Sequence, residues 1–221
     1  MGVMSPARQH FIRTMAARHD ASDPMDRMAA RSSSEKMQAQ LRLHTSVLKT
    51  KQSRTAKTAA KAEFLPAYTD YVDGVLEGGR GAQDDVLAMV MLWRLDTGDL
   101  EGALHIADYA VRHDLSMPPG FTRNLPTTLL EQMADVALER PDPDPLHAAP
   151  LDRALLLTQE ADMPDEVRAK AHKALGLACM DGNPVKAMDH FEAALALHPK
   201  CGVRSHLARL RRLSVASDEG T

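Results

Sequence analysis

The feature that most constrains the fold is a succession of short segments rich in alanine, leucine and methionine, each closed by glycine or proline. These residues favour helices, whereas the β-branched residues that favour strands are sparse and aromatic residues make up only 4% of the chain. The pattern predicts an all-α protein and argues strongly against a β-sandwich or β-barrel. With 221 residues, the chain is long enough for one large or two small domains.

Glycine and proline positions also predict where the helices begin and end. Helices are expected over 66–77, 85–96, 100–113, 126–140, 149–160, 166–199 (as a hairpin) and 203–213, after a short helix near 9–18 and a flexible joint that extends to about residue 33. An uninterrupted helix is expected from Ser34 to Ala62, because neither glycine nor proline occurs between them.

Particular residues are expected to cap these helices or to fill the core. Asp84 and Asp85 stand at the start of the 85–96 helix and are expected to cap it, and Asp162 is expected to cap the helix that follows it. The 85–96 helix is apolar on nearly all faces, so we expect Leu92 and Trp93 to be buried.

Two helix hairpins resemble tetratricopeptide units. The second places Gly176 in its first helix and Ala187 and Phe191 in its second, and Pro199 closes it. The first, over 85–113, repeats the small residues but lacks the closing proline. Because the turn glycines of the two hairpins are not separated by a multiple of the roughly 34-residue repeat, we expect two repeat-like pairs in an irregular helical domain.

Charge is strongly segregated, although the formal net charge is only −3. Residues 1–62 hold 12 lysines and arginines against 4 acids, whereas the remainder holds 15 against 26. A basic segment on an acidic body is typical of phosphate binding, and a solvated helix face is the alternative. The candidate DNA-binding residues are Arg42, Lys49, Lys51, Arg54, Lys57 and Lys61. A second basic cluster runs from Lys200 to Arg212.

Composition divides the chain into four parts. Residues 1–62 are predicted to form a basic helical arm for DNA binding and oligomerisation, 63–140 a central helical domain, 146–213 a tetratricopeptide-like region, and 214–221 a flexible tail. A narrow seam repeats at helical spacing in the arm, formed by Met37, Leu41, His44 and Leu48. Such a seam suits packing onto a neighbouring subunit or onto the body, and we expect a homo-oligomer.

Motifs for catalysis are hard to find in this sequence. There is no P-loop and no HExxH, and Cys179 and Cys201 lack metal-ligand spacing, so no cofactor is expected. The compact acid pairs that could hold Mg²⁺ are Asp84–Asp85, explained by a helix cap, and Asp142 with Asp144 in a proline-rich linker. No apolar run approaches the ~20 residues of a membrane span, so a soluble cytoplasmic protein is expected.

Several strings in the chain carry a family resemblance. They are SPARQH (5–10), GVLE (74–77), GAQDDVL (81–87), VMLWRLDTGD (90–99) and ADMPDEVRAK (161–170). With the stretch from Glu63 to Pro118, they resemble the small terminase subunit family of cos-cutting temperate tailed phages, often labelled "terminase, endonuclease subunit". Coverage extends over nearly the whole chain.

The resemblance implies a subunit that oligomerises, recognises the packaging site of double-stranded viral DNA and delivers this DNA to a large ATPase subunit in the bacterial cytoplasm. It also implies a role in cos cleavage, and the scarcity of acid clusters favours cleavage by the partner. Two alternatives stay open: a metal-dependent endonuclease, which would need Mg²⁺, and a helical-repeat scaffold that binds only protein.

Overall fold

A computed structural model describes residues 5–17, 24–139 and 147–218. All regular structure within these ranges is helical, which confirms the all-α prediction. The chain forms two compact units, residues 1–125 and 126–221. These units are defined by which helices pack together and not by the distribution of charge. The division into four parts by composition stays a prediction about function.

The first unit contains six α-helices and one 3-10 turn within its described residues. They are α1 (Pro6–Ala17), α2 (Pro24–Thr50), α3 (Arg54–Phe64), the 3-10 turn (Leu65–Tyr68), α4 (Thr69–Gly78), α5 (Asp85–Asp96) and α6 (Leu100–Arg112). Helix α1 packs on α4 and α5 packs on α6, while α2 and α3 both contact α5. The basic segment therefore lies on the body of its own unit.

Helix α5 is the centre of this unit. Trp93 is only 2% exposed, which confirms its predicted burial, whereas Leu92 is half-buried. Asp84 caps α5 as expected: its carboxylate accepts hydrogen bonds from the N–H groups of Val86 at 2.8 Å and Leu87 at 3.3 Å. The buried hydroxyl of Tyr71 also donates to this carboxylate at 2.6 Å, so the cap joins α4 to α5.

The continuous helix expected from Ser34 to Ala62 is wrong, because α2 ends at Thr50 and α3 begins at Arg54. Ser53 lies between them in an extended conformation, and its hydroxyl accepts a hydrogen bond from the N–H of Ala56 at 3.3 Å. A side-chain cap of this kind competes with helix continuation without any glycine or proline.

Helix α2 begins at Pro24 and not at Ser34, so the end of the expected flexible joint, including Ser32 and Ser33, is helical. Ser33 and Ser34 are both buried, and the hydroxyl of Tyr71 lies 3.4 Å from that of Ser34. Small side chains here allow close packing.

The second unit contains α7 (Leu125–Leu138, starting at the unit boundary), α8 (Ala148–Leu157), α9 (Asp165–Cys179), α10 (Pro184–Leu197) and α11 (Arg204–Asp218). The expected cap at Asp162 is wrong: Pro164 is the N-cap of α9, with extended backbone angles. Helix α11 continues to Asp218, beyond the end expected at residue 213, because no glycine or proline occurs before Gly220. The linker holding Asp142 and Asp144, and residues 219–221, lie outside the described residues.

Helices α9 and α10 form the predicted second hairpin with very close backbones. A Cβ added at Gly176 would lie 2.4 Å from the ring of Phe191, which is fully buried. Ala187 and Ala194 of α10 are also fully buried. The small residues thus have the packing role that the sequence indicated, and the closer likeness to tetratricopeptide units stays a prediction.

Candidate nucleic-acid interface

The apolar seam of α2 packs within its own unit. Met37, Leu41 and Leu48 are buried, and the ring of His44 stacks on Phe64 with centroids 4.0 Å apart. Nδ1 of His44 lies 2.8 Å from the hydroxyl of Tyr68, and burial lowers the pKa of the imidazole. The seam was expected to pack onto a neighbouring subunit or onto the body of its own chain, and the structure shows that it packs onto the body.

Burial of the seam leaves the opposite face of α2 exposed to solvent. Arg42, Ser46 and Lys49 lie on this face, and all three are exposed. Within the described residues, no hydrogen bond or ion pair engages the side chains of Arg42, Lys49, Lys51 or Lys57. Unpaired cations on a helix that the core holds in place are suited to contacting phosphate.

The break between α2 and α3 changes the geometry expected for the candidate residues. Arg42 and Lys49 lie on α2, Lys51 lies in the break, and Arg54, Lys57 and Lys61 lie on one face of α3 at i, i+3 and i+7. The cations therefore span two helices, whereas the sequence placed them on a single helix.

Lys61 is bound differently from the other candidates. Its ammonium lies 2.5 Å from the Asp96 carboxylate, and its side chain is only 17% exposed. This ion pair fastens α3 to α5, so much of the positive charge of Lys61 is already neutralised.

A groove of about 670 Å³ opens beside the exposed face of α2. Its lining residues are Leu41, Arg42, Thr45, Ser46 and Lys49 of α2, Met89 of α5, and Pro118, Pro119 and Phe121 of the segment after α6. Two of the predicted DNA-binding residues thus share a concave site with an apolar wall.

A tight turn presents Phe121 to this groove. The N–H of Phe121 donates to the carbonyl of Pro118 at 3.3 Å, and Gly120 has φ of +102°, as expected for a type II turn with proline at the second position. The ring is 43% exposed. Sequence reasoning treated this segment as a helix breaker and missed Phe121, although the string PPGF predicts a rigid turn that presents an aromatic residue.

The second basic cluster lies on α11 of the other unit. Leu207 and Leu210 bury one face of that helix, while Arg204, Arg209 and Arg212 are exposed on the other. Arg211 pairs with Glu192 of α10 at 2.7 Å. Helix α11 therefore also has a basic face exposed to solvent and an apolar face buried in its unit.

The acid pairs considered for Mg²⁺ have different outcomes. Asp84 is buried as the α5 cap, and Asp142 and Asp144 lie outside the described residues. In the described ranges, no group of three or more His, Cys, Asp or Glu side chains is arranged to hold a metal ion. None of the helices described is long and apolar enough to cross a membrane.

Comparison with known proteins identifies the family. Residues 38–166 match the family model for the phage small terminase subunit. The chain is also 41% identical over 219 residues to the "Terminase, endonuclease subunit" of Escherichia phage P2, covering 94% of this chain and 85% of that protein. The chain belongs to the phage small terminase subunit family.

A second relative of this terminase subunit is more distant. It is the "Probable terminase, endonuclease subunit" of Haemophilus phage HP1, 31% identical over 70 residues, or 32% of this chain and 25% of that protein. No solved structure matches the chain. The resemblance identified from the sequence is confirmed at the level of the family.

Proposed function

We propose that this small terminase subunit binds double-stranded viral DNA through a basic surface formed by Arg42, Lys49, Lys51, Arg54 and Lys57. It then delivers the DNA to the large ATPase subunit of the terminase in the host cytoplasm, and several copies act together. The observation that carries the proposal is a cluster of cations on and between two helices that both pack against α5: Arg42, Lys49 and Arg54 are exposed, and Lys51 and Lys57 are half-buried. Lys61 is a weaker contact, since Asp96 already holds its ammonium.

Electrostatics support the division of labour between DNA and protein partners. Between Arg31 and Lys61, Glu35 is the single acid, and it pairs with Arg31 at 3.0 Å, away from the proposed contacts. Duplex phosphates are the natural partner of such a surface, because neutralising them releases condensed counterions. Residues 63–199, with 10 lysines and arginines against 24 acids, repel DNA and are left for contacts with protein.

Assembly into an oligomer needs another surface now that the seam is buried. Leu43 and Val47, one turn apart on α2, are both exposed, and this apolar pair supports a contact between copies. Several copies would place several basic surfaces on one duplex, which raises the overall affinity without any new kind of contact.

The test is the triple variant Lys51→Ala/Arg54→Ala/Lys57→Ala, measured by DNA binding at several salt concentrations. We expect weaker binding to all duplex sequences and a salt slope smaller by about 2 to 3, because each lost phosphate contact removes ~0.9 from the slope. Preference for the packaging site is expected to survive, since phosphate contacts position a protein without reading bases.

The matched control is Arg204→Ala/Arg209→Ala/Arg212→Ala, which removes three exposed arginines from α11. If only the control lowers the slope, α11 is the interface and the proposed surface is wrong. Absence of salt-dependent DNA binding by the intact protein would favour the protein-only scaffold. Both relatives are named as terminase endonuclease subunits, so an endonuclease is a second candidate. Mg²⁺-dependent nicking of plasmid by the purified chain would support it.

A further inference from the structure

We propose that the groove between α2 and the Pro118–Phe121 turn binds a single-stranded segment of DNA. One base stacks on the ring of Phe121, and the flanking phosphates lie on Arg42 and Lys49. This inference rests on the proposed DNA binding and deepens it, because it assigns the groove a ligand that phosphate contacts on a duplex do not require.

The lining of the groove combines the two kinds of group that a nucleotide needs. Leu41, Met89 and the two prolines of the turn supply apolar surface beside the exposed ring of Phe121. Arg42 and Lys49 supply positive charge, and the hydroxyls of Thr45 and Ser46 lie between them along α2. Sites that bind single strands without sequence preference combine aromatic platforms with cations that follow the backbone in this way.

The spacing of the two cations fits a short run of nucleotides. Arg42 and Lys49 are seven residues apart on α2, which corresponds to ~10 Å along the helix axis. Stacked nucleotides advance by about 3.4 Å each, so these cations reach phosphates about three stacked nucleotides apart, or fewer where the strand is extended.

The ring is held ready to receive a base. Pro119 and the positive φ of Gly120 fix the turn, and the hydrogen bond from Phe121 to Pro118 closes it. Because the backbone that carries the ring is already fixed, it loses little conformational freedom when a base stacks on Phe121. The turn itself does not need an exposed aromatic ring at this position, whereas a stacked base does.

A duplex cannot use the Phe121 ring in the same way. Its bases are stacked on one another, so it presents phosphates and base edges but no free base face inside a concave groove. A single strand or an unstacked base does present such a face, and aromatic side chains bind it by stacking. A groove that combines an aromatic ring with cations therefore favours single-stranded over double-stranded DNA.

The experiment measures anisotropy of labelled oligothymidylate and of a mixed-sequence duplex of equal length, with the full chain. We expect Phe121→Ala to weaken single-strand binding by about 5- to 100-fold with an unchanged salt slope, and duplex binding by less than about 2-fold. Phe121→Leu keeps apolar area without an aromatic face and is expected to behave like the alanine variant. Arg42→Ala/Lys49→Ala is expected to lower the single-strand salt slope by about 1.4.

Phe11→Ala is the matched control, because Phe11 is an exposed phenylalanine of the same unit but lies on α1, away from the groove. Equal effects of Phe121→Ala and Phe11→Ala on single-strand binding would overturn the proposal. If Phe121→Leu binds the single strand as tightly as the unchanged protein, stacking is overturned. If Phe121→Ala loses self-assembly while its DNA binding is intact, the groove is a protein-docking groove instead. If the basic-surface variant loses duplex binding while Phe121→Ala changes nothing, the proposed function stands and this inference fails.

Discussion

The cores of the two compact units are filled by different kinds of side chain. Seven of the eight Phe, Tyr and Trp residues lie in residues 1–125, where Tyr68 and Phe64 approach Trp93 with ring centroids 5.8 and 6.2 Å apart. The second unit has Phe191 alone, and its α9–α10 contact is made largely by buried alanines and by Gly176. One core depends on large rings and the other on close approach of backbones.

This difference bears on function because the rings connect the core to the basic surface. His44 of α2 and Phe64 of α3 both contact the cluster around Trp93, so the rings fix both helices that carry the proposed phosphate contacts. The comparison predicts that removing side-chain volume harms the first unit most. Adding volume is expected to harm the second unit most, because there is no room for a Cβ between Gly176 of α9 and the ring of Phe191 on α10.

The largest expected effect is that of Trp93→Ala. The side chain is fully buried among rings from α2, α3 and the 3-10 turn, so its removal leaves a cavity and is expected to cost about 3 to 5 kcal/mol of unfolding free energy. Urea denaturation followed by circular dichroism measures this loss, with Phe11→Ala as the exposed control. A cost below about 1 kcal/mol would show that the ring cluster does not support the unit.

The next effect is that of Gly176→Ala in the second unit. The added methyl group would meet the buried ring of Phe191, and overpacking of this kind costs typically 1 to 3 kcal/mol. The better helix propensity of alanine offsets up to ~1 kcal/mol, so we expect a net loss of about 1 to 2 kcal/mol. Gly182→Ala is the control, since a Cβ there meets no atom within 4 Å. If both variants are equally stable, α9 and α10 are not packed as closely as the structure indicates.

How much the sequence could predict also differs between elements. The apolar run of α5 between glycine-containing turns predicted its bounds and the burial of Trp93, because local caps and core packing agree there. The break at Ser53 could not be read from the sequence, since serine is tolerated inside helices and no glycine or proline marks the cap. Burial of Ser33 and Ser34 likewise depends on contacts with elements distant in sequence.

The candidate site shows the same limit. The charge pattern identified the cations of α2 and α3, but it could not show that Lys61 is tied to Asp96, 35 residues further along the chain. Nor could it place Phe121 beside Arg42 and Lys49, because only the packing of α2, α5 and the turn creates the groove. Local patterns predict helices and charged faces, whereas concave sites depend on tertiary contacts.

A pair of histidines gives the second unit a sensitivity to pH. Nδ1 of His172 on α9 lies 3.0 Å from Nδ1 of His190 on α10. Burial lowers the pKa of both rings, that of His172 to about 4, and the two rings oppose each other's protonation. Arg168 and Lys186 lower these pKa values further, while Asp152 and Asp189 partly compensate.

The smallest expected effect is a loss of stability of the second unit on acidification. Between the unfolded histidine pKa of about 6.5 and the folded value near 4, the unfolded chain binds protons that the folded unit does not, so stability falls as pH falls. Hydrogen exchange followed by mass spectrometry at pH 7.5 and 5 resolves the two units. Exchange in α9 and α10, corrected for the intrinsic rate, is expected to accelerate more than in α5, which has the single half-buried imidazole of His44 beside it. In His172→Gln/His190→Gln the difference between the units is expected to shrink, and its persistence would show that other groups cause it.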